Sequence, residues 1–285
     1  MQIGVIIALI SAVTSTLRES VRKLVSSDLR SIEIGYLGQL YGTIFLSPIA
    51  AFIYYLNGFN WSIGVITALL ISTGVVISTT YLYIEAMRIA DFSVTESLRQ
   101  TTPIFVAFLE PLILGITFQP VMIFGALLGA LGSYILVADD GLLEPVENMK
   151  NKGGMLSILV AIIFAIWAIV SRFGATNSDP YLFSYFTFVL GLLGFWIWKK
   201  KRSISIQKEY YLDKNIILLA VLTSLGAVVT IYAYSYISAS EVTIIKQISG
   251  ILGIFVGGRY FREKELIRKA LGAITILAAV LLILI

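Results

Sequence analysis

Chemistry in this chain can come only from a few ionisable side chains placed where the sequence is otherwise apolar. Glu96, Arg99 and Glu110 share one apolar run with Gln100 and Pro103. At 100° per residue these five positions occupy a single helical stripe about 100° wide. Lys246, followed by Gln247, lies in a second such run, on a stripe with Gly250, Gly253 and Gly257. An ionised side chain at the centre of a bilayer costs about 2.5–3.5 kcal/mol on insertion scales, so each is a functional candidate by default. Arg99 and Lys246 could attract a carboxylate or phosphate, with Gln100 and Gln247 adding hydrogen bonds. The alternative is structural: Glu96, one turn earlier, neutralises Arg99, and Glu110, Glu85 or helix carbonyls neutralise Lys246. Glu110, just ahead of Pro111, could also be a simple helix-end group.

The rest of the composition narrows the field. Of 285 residues, 58% are hydrophobic and only 13% are charged. Mean hydropathy is +0.91. A soluble domain carries about a quarter charged residues, so this chain cannot cover a water-soluble globule and reads as an all-α integral membrane protein. The absence of Cys excludes disulfides and thiolate chemistry, and the absence of His removes the usual metal ligand and near-neutral proton carrier. Any proton chemistry would therefore fall to a carboxylate, for which Glu96 is the candidate. The net charge of +4 comes from basic links between apolar runs, so it does not indicate nucleic-acid binding. No residues group as catalytic or metal-binding sets, and no cofactor is implied. Asp139-Asp140 is the conspicuous acidic pair, and it lacks a third ligand at helical spacing.

Ten runs are long enough to span a bilayer, which takes about 20 apolar residues. They are Ile3–Val21, Glu33–Tyr55, Ile63–Met87, Ser93–Ile116, Pro120–Ala138, Gly154–Phe173, Tyr181–Trp198, Ile216–Ile237, Val242–Phe261 and Leu266–Ile285. The first lacks a basic flank and a fitting cleavage site, so it reads as a retained helix. Ser93 to Ala126 overlays Ser240 to Ala273 without a gap, pairing Arg99-Gln100 with Lys246-Gln247 and Gly125-Ala126 with Gly272-Ala273. Eighteen of the 21 Lys and Arg fall in or beside the links after runs 1, 3, 5, 7 and 9. The positive-inside rule then puts those links in the cytoplasm and both termini outside. The link Leu56–Asn60 is neutral while its counterpart Lys199–Lys214 is basic. A five-helix unit followed by its upside-down copy requires such a swap. The expected organisation is an inverted 5+5 repeat: residues 1–138, a cytoplasmic linker 139–153, and residues 154–285. Arg99 and Lys246 would then meet near the midplane. The motif Gly125-x-x-x-Gly129 is expected to pack helices within the chain. The run Lys199-Lys200-Lys201-Arg202 could be a lipid-binding patch, but the favoured reading is a topology anchor that touches anionic headgroups nonspecifically.

These features resemble the EamA family of the drug/metabolite transporter superfamily. The resemblance rests on Glu85–Ala90 and Tyr232–Ile237 at the ends of the third helix of each unit, on Ser93 and Ser240 opening the fourth, and on Pro103 within it. Glu263 nine positions before Gly272 and Trp167 in the first helix of the second unit add to it. The chain departs from the pattern at Ile116, Gly250, Ser15-Thr16 and Gly35-Tyr36. The resemblance implies a secondary carrier in the cytoplasmic membrane, exporting a small polar or amphipathic metabolite by alternating access. It brings Tyr83, Trp167, Tyr185 and Tyr232 to the substrate-binding set of Arg99, Gln100, Lys246 and Gln247, with packing as the other role for these aromatics. Partners would be the substrate and the bilayer, with the chain a monomer or homodimer. A channel or lipid scramblase is the alternative function, and a membrane-embedded transferase is a more distant one.

Overall fold

A computed structural model describes residues 2–25, 29–89, 98–137, 151–249, 251–252 and 266–284. All regular structure among them is helical: α1 (Gln2–Val25), α2 (Ser31–Asn57), α3 (Ile63–Ile89), α4 (Thr102–Leu114), α5 (Pro120–Val137), α6 (Lys152–Asn177), α7 (Pro180–Lys201), α8 (Lys214–Tyr236), α9 (Ala239–Lys246) and α10 (Leu266–Leu284), with a 3₁₀ turn at Lys208–Leu212. Six of these, α1, α2, α3, α6, α7 and α8, are long and apolar enough to cross a membrane. Three shorter apolar helices lie within α4, α5 and α10. Ser93, Glu96, Asp139-Asp140, Gly250, Gly253, Gly257 and Glu263 lie outside the described residues, as does linker 139–153 up to residue 150.

The fourth and ninth apolar runs differ from the expected continuous helices. Helical residues Leu98 and Arg99 give way to a turn at Gln100-Thr101 before α4 begins, and α9 gives way to a turn at Gln247. Pro103 explains the first break, because it has no N–H to donate to the carbonyl of Arg99 and its ring crowds that oxygen. The Thr102 hydroxyl donates to that carbonyl instead, at 2.7 Å, and the Thr101 hydroxyl donates to Leu98 O at 2.6 Å. In the second copy Gln247 N donates three residues back, to Ile244 O at 3.1 Å. The helix α9 also starts three residues before the apolar run. The Ser238 hydroxyl accepts from Glu241 N (3.0 Å) and the Glu241 carboxylate accepts from Ser238 N (2.7 Å), a reciprocal cap that satisfies two otherwise orphaned donors.

The chain divides into two compact units, Met1–Tyr81 with Val170–Tyr236, and Leu82–Ile169 with Ile237–Ile285. In the first unit α1 packs on α8, with Ser11 and Thr230 sharing a buried 2.6 Å hydrogen bond. Gly35 and Gly42 of α2 receive the rings of Phe195 and Phe188 of α7, which sets the two helices antiparallel. On another face of α7, Gly194 receives Ile77 of α3, and Trp198 meets Tyr81 with ring centroids 4.9 Å apart. These pairings gather the C-terminus of α1, the N-termini of α2 and α8 and the C-terminus of α7 at one end. That end holds Arg18, Arg22, Arg30, Lys199–Arg202 and Lys214.

In the second unit α5 and α10 are also antiparallel. A Cβ at Gly132 would lie 2.8 Å from both Gly272 O and Ile276 N, and one at Gly125 would lie 3.6 Å from Ala279 O and overlap the Ile283 side chain. Gly129 faces Gln247. The small residues of α5 therefore serve packing within the chain, as their spacing suggests.

Candidate functional site

The second unit brings α4 and α9 together at their breaks. Gln247 Nε2 donates to the carbonyl of Gln100 at 3.0 Å, in a buried contact. Pro103 frees the chain to turn there, and Gly129 leaves room for the Gln247 carboxamide: a Cβ at 129 would lie 2.9 Å from its Cδ. The Oε1 of Gln247 is buried and has no hydrogen-bond partner among the described residues. Arg99 and Lys246 each stand one residue before a member of this Gln pair, and both are half-buried. The Arg99 guanidinium carbon lies 5.5 Å from the ring centroid of Tyr83, itself 4% exposed. For a cation that keeps part of its water such a contact contributes about 0.5–1 kcal/mol.

The other end of the same helix pair is tied by Glu110, which is 1% exposed. Its carboxylate accepts from Ala239 N at 2.7 Å, from Ser240 N at 2.9 Å and from the Ser240 hydroxyl at 2.5 Å. These donors are the first of α9, so the charge meets the positive end of the helix dipole and satisfies backbone groups that a helix leaves open. Glu110 is thus not a local helix-end group but a cap supplied by one helix to another. Together the contacts make α4 and α9 antiparallel: residues 100 and 110 of one chain segment face 247 and 239–240 of the other. In that register Arg99 and Lys246 flank the central bond.

The remaining candidates separate. Trp167 belongs to the second unit, is 7% exposed, and stacks obliquely on Phe164 with centroids 4.9 Å apart. Tyr185 and Tyr232 belong to the first unit, where both pack against the cluster of Leu46, Ala50, Tyr181, Leu182 and Phe188. Glu96 lies outside the described residues. Chemically, the junction of α4 and α9 offers two half-buried cations beside amide groups in a largely water-excluded setting. That arrangement can hold an anionic group, and no described residues form a metal-ligand cluster. Gln39 of α2 is a buried polar residue the sequence reading did not single out. Its Oε1 lacks a hydrogen-bond partner among the described residues and lies where a Cβ on Gly191 would be 2.8 Å away.

Comparison with known proteins places the chain by family and by fold. The sequence profile of the EamA-like transporter family matches residues 2–138 and again residues 151–285. A solved structure, described only as a crystal structure of a protein, is similar with a TM-score of 0.71. It shares 14% identity over 99% of this chain and 95% of that one, a likeness of fold. No curated protein matches the chain at a significant level.

Proposed function

Because this multi-pass membrane protein belongs to the EamA-like transporter family, we propose that it is a secondary carrier that moves a small anionic or zwitterionic metabolite by alternating access. The observation that carries this reading is the bond between Gln100 and Gln247 at the two helix breaks, with Arg99 and Lys246 flanking it. Repeat-built carriers bind substrate between discontinuous helices near the bilayer midplane, where broken helix ends expose polar backbone. Arg99 and Lys246 recognise the anionic group. Gln100 and Gln247 orient it, Tyr83 holds Arg99, and Trp167 of the same unit suits an apolar portion of the substrate.

On this reading the chain has ten spans in two inverted copies, residues 1–138 and 154–285, joined by the linker 139–153. The antiparallel pairing of α4 with α9 and of α5 with α10 supports it, since equivalent helices of an inverted repeat meet across a two-fold axis. The basic end of the first unit faces the cytoplasm, which leaves both termini outside the cytoplasmic membrane. The direction is export, by analogy with the family, and no catalytic step is involved. Glu96 is the carboxylate for proton coupling.

The test is a thermal-shift screen of purified protein against amino acids, sugar phosphates and organic acids. A ligand at 100 times its Kd should stabilise the fold by about 2.7 kcal/mol. Arg99→Ala and Lys246→Ala should melt near the unliganded wild type yet lose that shift, and should fail in counterflow with the same ligand. Undiminished shifts in both variants would remove these cations from the mechanism. Uptake without trans-stimulation would indicate a pore.

A further inference from the structure

The cations at the basic end of the first unit fall into two groups. Arg18 and Arg22 are paired with Glu19, at 2.7 and 3.3 Å. Arg30, Lys214 and, at the end of α7, Lys199, Lys200, Lys201 and Arg202 make no ion pair among the described residues. The acids Glu33 and Asp213 at this end are turned onto backbone donors: Glu33 accepts from Arg30 N at 2.8 Å, and Asp213 from Asn215 N at 2.8 Å. Four consecutive positive charges are therefore left without a described carboxylate.

Two of the four are held in an unusual place. A lysine at a helix end normally extends its ammonium into water. Here Lys199 Nζ lies 4.3 Å from the ring centroid of Tyr36, and Lys200 Nζ lies 5.4 Å from that of Trp196. Trp196 is one turn back along α7. Tyr36 is also about a turn back, because Gly35 packs against Phe195. Both ammonium groups are thus folded back towards the apolar body of the helix, onto aromatic rings of the kind that mark headgroup depth. Lys199 is half-buried, while Lys200, Lys201 and Arg202 are exposed; of the exposed three, only Lys200 lies over a described ring.

We propose that Lys199 and Lys200, held over Tyr36 and Trp196, form a binding site for the phosphate of an anionic phospholipid. The rings fix the ammonium groups at the depth of a lipid phosphate, so little side-chain entropy is lost on binding. Glu33 and Asp213, already bonded to backbone, do not compete, and Glu209 of the 3₁₀ turn makes no ion pair among the described residues. Lys201 and Arg202 add only diffuse attraction to the membrane surface. This inference does not depend on the substrate site.

The experiment reconstitutes the full chain in nanodiscs of phosphatidylcholine with and without phosphatidylglycerol. Phosphatidylglycerol should raise the unfolding temperature of the wild type, and moderate salt should leave the shift largely intact. The double variant K199Q/K200Q should lose it, K199R/K200R should restore it, and K201Q/R202Q, which removes the same charge, should keep most of it. Equal loss in the two glutamine doubles would overturn the site in favour of diffuse surface charge. Protection by inorganic phosphate in phosphatidylcholine discs equal to that of phosphatidylglycerol would also overturn it. Should K199Q/K200Q fail to fold, native mass spectrometry of each single variant replaces it. Retention of phosphatidylglycerol should fall roughly fivefold per lysine removed, and unchanged retention would sink the proposal.

Discussion

Glu110→Ala is expected to destabilise the protein by about 3 kcal/mol, because it strips the acceptor from three buried donors. The carboxylate accepts from Ala239 N, Ser240 N and the Ser240 hydroxyl, and the group is 1% exposed. Alanine leaves those three donors facing a void in a helix junction with little access to water, at about 1–3 kcal/mol for each group that finds no substitute. Relief from burying the carboxylate itself offsets part of that. Glu110→Gln keeps one carbonyl acceptor but turns an amide NH2 toward donors, so its loss should be about half as large. Ser240→Ala removes only the hydroxyl and should cost about 1.5 kcal/mol. Melting temperatures should be lowest for Glu110→Ala and higher for Glu110→Gln and Ser240→Ala, which can be read from size-exclusion profiles after heating. A Glu110→Ala variant that melts with the wild type would show that the cap does not hold α9.

The same substitution separates holding from binding. Glu110 lies near Ala239, two turns of α9 from Lys246, so it acts on the cation only through the helix between them. Alanine at position 110 should therefore lower the melting temperature without ligand and weaken the ligand-dependent shift as well. Arg99→Ala should act mainly on the second. A cap that merely stabilised the fold would leave the ligand-dependent shift intact.

Much of the fold could be read from hydropathy because the long helices are continuous apolar runs bounded by charge or glycine. The bounds of α2, α3 and α7 fall within a few residues of those runs for that reason. The break before α4 was also visible, since Pro103 lies inside a run, but the stripe of polar residues argued for continuity. The early start of α9 was marked by Ser238 and Glu241 at capping-box spacing. The partner of Glu110 was not legible. Its donors are 129 and 130 residues away, and a helix end looks alike in sequence whether its cap is local or distant. For the same reason the aromatic candidates could not be sorted. Tyr83 meets Arg99, whereas Tyr185 and Tyr232 share one apolar cluster in the other unit. The grouping of helices was hidden too. Each compact unit draws helices from both family-matched segments, which no local sequence signal announces.

The second large effect is expected at Gly132. A Cβ there would stand 2.8 Å from Gly272 O and from Ile276 N, and both atoms are backbone of α10. A flexible side chain could swing away, but two backbone atoms can give way only if the helices separate. Moving α10 off α5 also loosens Ile283 from Gly125 and Ala279 from the same face. Gly132→Ala should therefore cost about 2–3 kcal/mol, the upper part of the range for overpacking, and Gly132→Leu should prevent folding. Gly74 of α3 is the control, because a Cβ there meets nothing within 4 Å. Gly74→Ala should be neutral, or stabilising by up to about 1 kcal/mol through the smaller backbone entropy loss. Gly129→Ala falls between the two. Its Cβ would meet the Gln247 carboxamide, which can rotate only by giving up its bond to Gln100. That variant should fold but lose the ligand-dependent shift, while Gly132→Ala lowers the melting temperature with and without ligand. Equal melting of Gly132→Ala and Gly74→Ala would mean that α5 and α10 do not meet backbone to backbone.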